Sequence, residues 1–252
     1  MRGPEAGRYR VGHERIGERR LATRITVTKN GPYQVEGTVP LSRQIIQPNA
    51  EGESWEWRQG EGYEIVSDYR LCRCGGSANK PFCDGTHQRN GFDGTETAER
   101  TDYLAQADVV LGPDLTLTDA GSLCAYARFC DARGQIWNLV EQGGATAQSL
   151  AEREAGHCPS GRLVTWLTSS GVRSEPVGEP TFEPSIGVIE DPQIGVSGPL
   201  WVRGGIPVVS EDGTSYEVRN RMTLCRCGAS QNKPFCDGSH ASIGFRDEPA
   251  DA

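Results

Sequence analysis

The sequence predicts a mainly β protein with short helices, an α+β chain. In it two repeated units pack about a pseudo-two-fold axis, with a small central α/β insert between them in the chain. Three observations predict this. The segment "GPYQVEGTVPL" (residues 31–41) recurs without a gap as "GPLWVRGGIPV" (198–208). The chain carries 32 glycines and 15 prolines, which suits short strands and loops better than a helical bundle. Six of its nine cysteines fall in two stretches of almost the same sequence, "LCRCGGSANKPFCDGTHQRNGF" (71–92) and "LCRCGASQNKPFCDGSHASIGF" (224–245).

Residues 1–22 are rich in arginine and lack the apolar core of a secretory signal, and Glu5, Glu14 and Glu18 argue against a transit peptide. They read as a solvated, partly disordered tail. The first repeat, residues 23–100, opens on a strand around Ile25 and Val27. Tyr33 and Val35 then alternate with their neighbours at strand period, as Leu200 and Val202 do in the second repeat. "YEIVSDYRLCRCG" matches "YEVRNRMTLCRCG", but 21 residues precede it in the first copy (42–62) against 7 in the second (209–215). The extra length, with Trp55 and Trp57, reads as a longer β-connection on the surface. The central insert, residues 101–184, holds a strand at "DLTLTD", a short helix near 122–131 and another near 146–154. It ends in a linker rich in Gly, Pro and Ser. The second repeat, residues 185–252, includes "SEDGTSYEV", a hairpin turning at Asp212-Gly213. A unit of this size buries little surface alone, so the two copies are expected to pack on each other as an intramolecular pseudo-dimer, with the chain a monomer.

The net charge of −8 argues against nonspecific nucleic-acid binding. No apolar run approaches membrane-spanning length. Nine cysteines is an odd number, and their clustering points to metal rather than disulfides, hence to an intracellular, cytoplasmic protein. No nucleophile and base are recognisable, so no independent enzymatic activity is expected.

The spacing is Cys72-x-Cys74-x8-Cys83-x3-His87, repeated as Cys225-x-Cys227-x8-Cys236-x3-His240. Cysteines two apart in an extended loop point the same way. A helical turn starting near Asn79-Lys80-Pro81 would put Cys83 and His87 on one face, and likewise Cys236 and His240. Three thiolates and an imidazole suit either zinc or an iron–sulfur cluster. The Cys-x-Cys gap is shorter than the usual zinc-knuckle spacing and leans toward the cluster. Asp84 and Asp237 read either as turn residues before glycine or as hydrogen-bonding supports of the ligands. Arg73, Arg226, Lys80 and Lys233 read as solvated charges. Gly75 and Gly228 allow a close approach to the backbone.

Both stretches resemble the signature of the CDGSH iron–sulfur domain family, mitoNEET-like; Thr86 replaces the signature serine in the first copy and keeps its hydroxyl. The resemblance implies two [2Fe-2S] clusters, one per repeat. Cys72 and Cys74 would hold one iron and Cys83 and His87 the other, with Cys225, Cys227, Cys236 and His240 repeating the scheme. It implies electron transfer or cluster transfer, with a redox partner or an apo-acceptor protein as the counterpart. The competing reading is a zinc-binding structural or interaction module. One imidazole in place of a thiolate removes a negative charge, so a potential between plant ferredoxins, near about −400 mV, and Rieske centres, roughly −150 to +300 mV, is expected. Acid should speed cluster loss by protonating the histidine.

Three cysteines remain. "LCAYARFC" places Cys124 and Cys130 about Ala127, and "HCPSG" adds Cys158 before Pro159. The pattern resembles a divergent single-cluster ferredoxin run lacking one ligand. It implies a third iron–sulfur site of the [3Fe-4S] kind, or a ferredoxin-derived scaffold whose thiols are simply buried or reactive. His157 is read as incidental.

Overall fold

The computed structural model describes residues 23–247. The expected tail, residues 1–22, lies outside them. The first repeat forms β1 (Arg24–Val27), β2 (Tyr33–Glu36), β3 (Leu41–Pro48), β4 (Ser54–Tyr63) and β5 (Tyr69–Leu71). The central unit supplies α1 (Tyr103–Gln106), β6 (Asp108–Leu111), β7 (Leu115–Asp119), α2 (Ile136–Gln142), α3 (Ala145–His157) and β8 (Leu163–Leu167). The second repeat adds β9 (Ser185–Asp191), β10 (Val196–Arg203), β11 (Val208–Ser210), β12 (Arg221–Leu224) and α4 (Ser239–Ser242).

The two repeats exchange strands. One sheet runs β11-β1-β2-β5 and the other β12-β10-β9-β3-β4. The third strand of each repeat leaves its own unit and pairs in parallel with the first strand of the other: β1 with β11, and β3 with β9. The registers match across this exchange. Ile25 lies opposite Val208, and Leu41, the counterpart of Val208, lies opposite Ile186. Val27 lies opposite Tyr33, and Val188 opposite its counterpart Leu200. The chain therefore has a pseudo-two-fold axis, and the paired core strands of one half have counterparts in the other.

The two halves share one buried core. One apolar core takes Ile25, Val27, Tyr33 and Val35 from the first repeat and Ile186, Val188, Leu200 and Val202 from the second. All eight side chains are at most 1% exposed, and burying each stabilises the fold by roughly 1.5–3 kcal/mol before entropy is charged against it. The central unit has a separate core in which Leu115, Leu117 and Leu163 of its sheet meet Ile136, Val140, Ala151 and Ala155 of α2 and α3.

Several sequence expectations need correcting. The extra length at residues 42–62 is not a loose surface connection: it makes up nearly all of the β3–β4 hairpin, whose return strand is the fifth strand of the second sheet. Its Trp57 packs inward rather than lying on the surface: the ring lies 4.6 Å from Trp201 and 4.8 Å from Phe129, joining the hairpin to both other units. The short helix expected near 122–131 is instead two 3₁₀ segments, Gly121–Leu123 and Phe129–Gly134. Tyr126 and Arg128 between them take positive φ, which breaks regular helix. The Asp212-Gly213 turn forms, with Ser210 N–H bonded to Thr214 O, but only one bridge, Val209 to Ser215, follows it. Among the described residues no helix is long and apolar enough to cross a membrane.

Candidate metal centre

Each cysteine loop hangs from the end of a core strand. In the first repeat Leu71 bridges to Phe82, with Cys72 N–H bonded to Pro81 O at 2.8 Å and Cys83 N–H to Arg70 O at 2.9 Å. This short ladder sets Cys72 opposite Pro81 and Cys83 opposite Arg70, bringing the two cysteine-bearing segments together although eleven positions separate Cys72 from Cys83. The second repeat does the same with Leu224 and Phe235, Cys225 N–H to Pro234 O at 2.8 Å and Cys236 N–H to Thr223 O at 3.0 Å. The expected helical turn at Pro81 and Pro234 is absent. Both prolines follow cis peptide bonds in a tight loop. Helical structure starts only after Gly85 and Gly238, at Thr86–Gln88 (3₁₀) and at α4.

Asp84 and Asp237 hold these loops by their backbones. Asp84 accepts from Ala78 N–H at 2.8 Å and Thr86 N–H at 2.9 Å. Asp237 accepts from Gln231 N–H at 2.7 Å and Ser239 N–H at 3.0 Å. One carboxylate thus ties the loop before the proline to the turn that carries the histidine. The Ala78 N–H, followed by Thr86, holds the Asp84 carboxyl well below the usual carboxylate range. Ser77 and Ser230 complete each loop, donating to Phe82 O and Phe235 O at 2.7 Å.

The eight predicted ligands come together as four pairs. Cys72 and Cys74 sulfurs stand 3.9 Å apart, and Cys225 and Cys227 sulfurs 3.6 Å apart. Cys83 sulfur lies 3.4 Å from His87 Nδ1, and Cys236 sulfur 3.4 Å from His240 Nδ1. Two thiolates on one tetrahedral ion with bonds of about 2.3 Å stand about 3.8 Å apart, and a thiolate and an imidazole nitrogen about 3.5 Å. Each pair therefore fits one tetrahedral metal ion. Among the described residues no three His, Cys, Asp or Glu side chains converge on a single ion position. Each repeat thus offers two two-ligand positions. Backbone N–H groups of Gly76, Gly85 and Gly238 point at the sulfurs of Cys74, Cys83 and Cys236, each at 3.4 Å. Such donors favour the thiolate form that a metal requires.

The thiols of the two sites are held differently. Burial pushes Cys72 up to about 11. In the second site the hydrogen bond shared by Cys225 and Cys227 holds the Cys225 thiol down and pushes that of Cys227 up. Burial, followed by the Arg226 charge, lowers His240 to about 4. A neutral imidazole is the ligating form.

Sequence reasoning missed three supports. Arg73 and Arg226 are not solvated; each is 2% exposed. Arg73 donates to Thr28 O and Gly94 O and lies over the rings of Tyr33 and Phe92. Arg226 donates to Gly198 O at 2.7 Å and Ile189 O at 2.9 Å, pairs with Glu190 and Asp247, and lies over Phe245. Each arginine thus clasps the segment that follows its histidine. Tyr33, from the first repeat, donates its hydroxyl to Cys225 O at 2.7 Å and Pro234 O at 3.0 Å, both in the second site. The only sequence signal for these roles was that an arginine recurs between the first two cysteines.

The three remaining cysteines also meet. Cys124, Cys130 and Cys158 line one small cavity with Ala127, Pro159 and Arg162. Ala127, the position of the missing ligand, stands in the same wall. Burial, and then the neighbouring Cys158, pushes the Cys130 thiol far up. Arg162 is held over the cavity by two hydrogen bonds to Asp119. His157 turns away: its Nδ1 lies 2.8 Å from Arg153 O and its ring packs on Phe129.

Residues 110–168, which include these three cysteines, match a family model described as a divergent 4Fe-4S mono-cluster. Comparison with curated proteins and with solved structures gives no match. Residues 30–88 and 197–241 match the model described as iron-binding zinc finger, CDGSH type. The two matched segments coincide with the two ligand sets, so this is an iron–sulfur protein with two domains of the iron-binding CDGSH type, one in each repeat.

Proposed function

We propose that each domain holds a [2Fe-2S] cluster and that the protein acts in one-electron transfer or in handing a cluster to an apo-acceptor protein, with no enzymatic step of its own. The observation that carries this is the pairing of ligands: two sulfurs 3.6–3.9 Å apart beside a sulfur and a ring nitrogen 3.4 Å apart, in both repeats. When bound, such a cluster supplies a one-electron couple whose potential the imidazole raises relative to four thiolates. The chain's residues do the rest. Asp84 and Asp237 fix the loops, the glycine N–H groups stabilise thiolate, and Arg73 and Arg226 hold the flanking backbone over each site.

The test is iron, acid-labile sulfide and zinc measured in one preparation, with the visible spectrum before and after dithionite. Iron and sulfide in equal amounts, with a red-brown colour that dithionite bleaches, support the reading. A colourless chain loaded with zinc would replace it by a structural zinc module.

The central unit has its own reading. Three cysteines on one cavity, with Ala127 where the fourth would stand, suit a [3Fe-4S] cluster. The iron count decides: about four irons per chain means two [2Fe-2S] clusters, and about seven means the central site is filled as well.

A further inference from the structure

The pseudo-two-fold relation lets the two cluster sites be compared position by position, and their surroundings are opposite in kind. Beside Cys83 and His87 a groove of about 680 Å³ opens, lined by Thr28, Gln34, Arg24 and Arg70 among others. The counterparts of Thr28 and Gln34 in the second half are Ile189 and Trp201, as the paired registers require. Ile189 and Trp201 are buried, and they are packed against Ala127 and Phe129 of the central unit. Where the first site has an open groove lined by charged and polar side chains, the second has an apolar seat already filled by a loop of the same chain.

The glycine before each histidine turn shows the same contrast. A Cβ placed on Gly238 would lie 3.3 Å from the Tyr126 Cβ and 3.4 Å from the Cys124 carbonyl oxygen; one placed on Gly85 would meet nothing within 4 Å. Asn232, the counterpart of Asn79, donates to Ser122 O at 2.9 Å, fixing the central loop to the second site from another side. His240 is 4% exposed, whereas His87 is only half-buried.

We propose that the two sites are divided in function: the first, open at His87, is the one through which a cluster is exchanged, and the second, closed by residues 126–129, retains its cluster. This deepens the reading of both domains as cluster-binding and rests on it. The physical ground is access. Removing or transferring a cluster requires an incoming donor atom to reach the metal, and an apolar shell around a metal site controls that approach. At the first site the incoming ligand meets an open groove. At the second it must first displace Tyr126, Ala127 and Phe129.

The experiment uses the purified full chain, challenged with an iron chelator at constant neutral pH while visible absorbance is followed. Replacing the histidine ligand by cysteine assigns each phase. The phase slowed by His87→Cys should be at least tenfold faster than the phase slowed by His240→Cys. A third phase from the central cysteines would respond to neither. Tyr126→Gly tests the seal: Tyr126 is 48% exposed and has a φ of 52°, which glycine adopts freely, so the fold tolerates the change. It should speed the slow phase at least threefold and leave the fast phase alone. Equal rates at the two sites, a faster second site, or a slow phase indifferent to Tyr126→Gly would each overturn the division. A coloured chain showing any of these results fails the division alone. A chain without iron and sulfide fails the reading of the domains as well.

Discussion

Gly75 lies against the carbonyl of Cys227: a Cβ placed on it would come 2.4 Å from that oxygen, and one placed on Gly228 would come 2.8 Å from the Cys74 oxygen. The two cysteine loops therefore touch across the pseudo-two-fold axis at the residue next to a ligand. Both glycines also hold positive φ, 71° and 84°. Gly75→Ala would add backbone strain of about 1–3 kcal/mol and a clash with main chain that has no flexible end to move. We expect it to lower the unfolding midpoint and to reduce metal content at both sites together, since each loop braces the other. Thermal unfolding with iron analysis checks this. Loss confined to the first site would show that the loops fold independently.

Tyr33 makes a second link across the axis, and it is asymmetric, because its counterpart is Leu200. Tyr33→Phe keeps the buried ring and removes one hydroxyl that serves two carbonyls. A cost of about 1–2 kcal/mol is expected, in the range for leaving a buried acceptor short of a donor. The informative result is where the damage falls. The substitution is in the first repeat, but the second site should lose metal more readily. His87→Cys and His240→Cys backgrounds distinguish the sites.

How much of this was legible in the chain depends on the range of the interaction. The eight ligands were readable because Cys-x-Cys and Cys-x3-His spacings act within a few residues, whatever brings the two pairs together. The strand exchange was not readable in detail. Nothing local in "VPLSRQ" says that Leu41 will lie beside Ile186 rather than beside its own repeat. Symmetry suggested only that the copies pack. Arg73 and Arg226 were misread because a guanidinium between two ligands looks solvated until aromatic rings and carbonyls from residues well separated in sequence enclose it. The helix expected at Pro81 failed for a local reason: a helix would bond the Thr86 N–H to the Phe82 carbonyl, but Asp84 takes that N–H and Ser77 takes that carbonyl, closing a tight loop instead.

The two buried arginines predict unequal mutational costs. Arg226 faces two carboxylates, with Glu190 at 2.9 Å and Asp247 at 2.7 Å. Arg226→Met would leave both charges in a buried setting without their partner, at a cost of about 3–5 kcal/mol. Arg73 is held by carbonyl oxygens and aromatic rings, so Arg73→Met leaves unpaired acceptors and costs about 1–3 kcal/mol. Denaturant midpoints of the two variants should differ in that order. Adding Glu190→Gln to Arg226→Met should recover part of the loss, and failure to recover any would show that the ion pairs are not its source.

Glu154 gives a pH dependence of stability that has nothing to do with the ligands. It lies on α3, 1% exposed, and neither carboxylate oxygen has a hydrogen-bond partner. Burial first, then the nearby charges of Asp131 and Glu53, pushes its pKa up to about 9, so the folded chain carries it protonated at neutral pH. The unfolded chain ionises it near about 4.3. Folding then binds a proton. This contribution to stability is fully present below the unfolded pKa and is lost as pH rises toward the folded one. Linkage over that window is worth about 1.4 kcal/mol per pH unit, so roughly 4 kcal/mol should disappear between about pH 5 and pH 8. Glu154→Gln keeps the shape and cannot ionise. It should match the parent chain near pH 5, exceed it at pH 8, and show a flatter midpoint against pH across that window. Denaturant unfolding at several pH values measures this directly, and parallel curves for the two chains would place the proton uptake on another group.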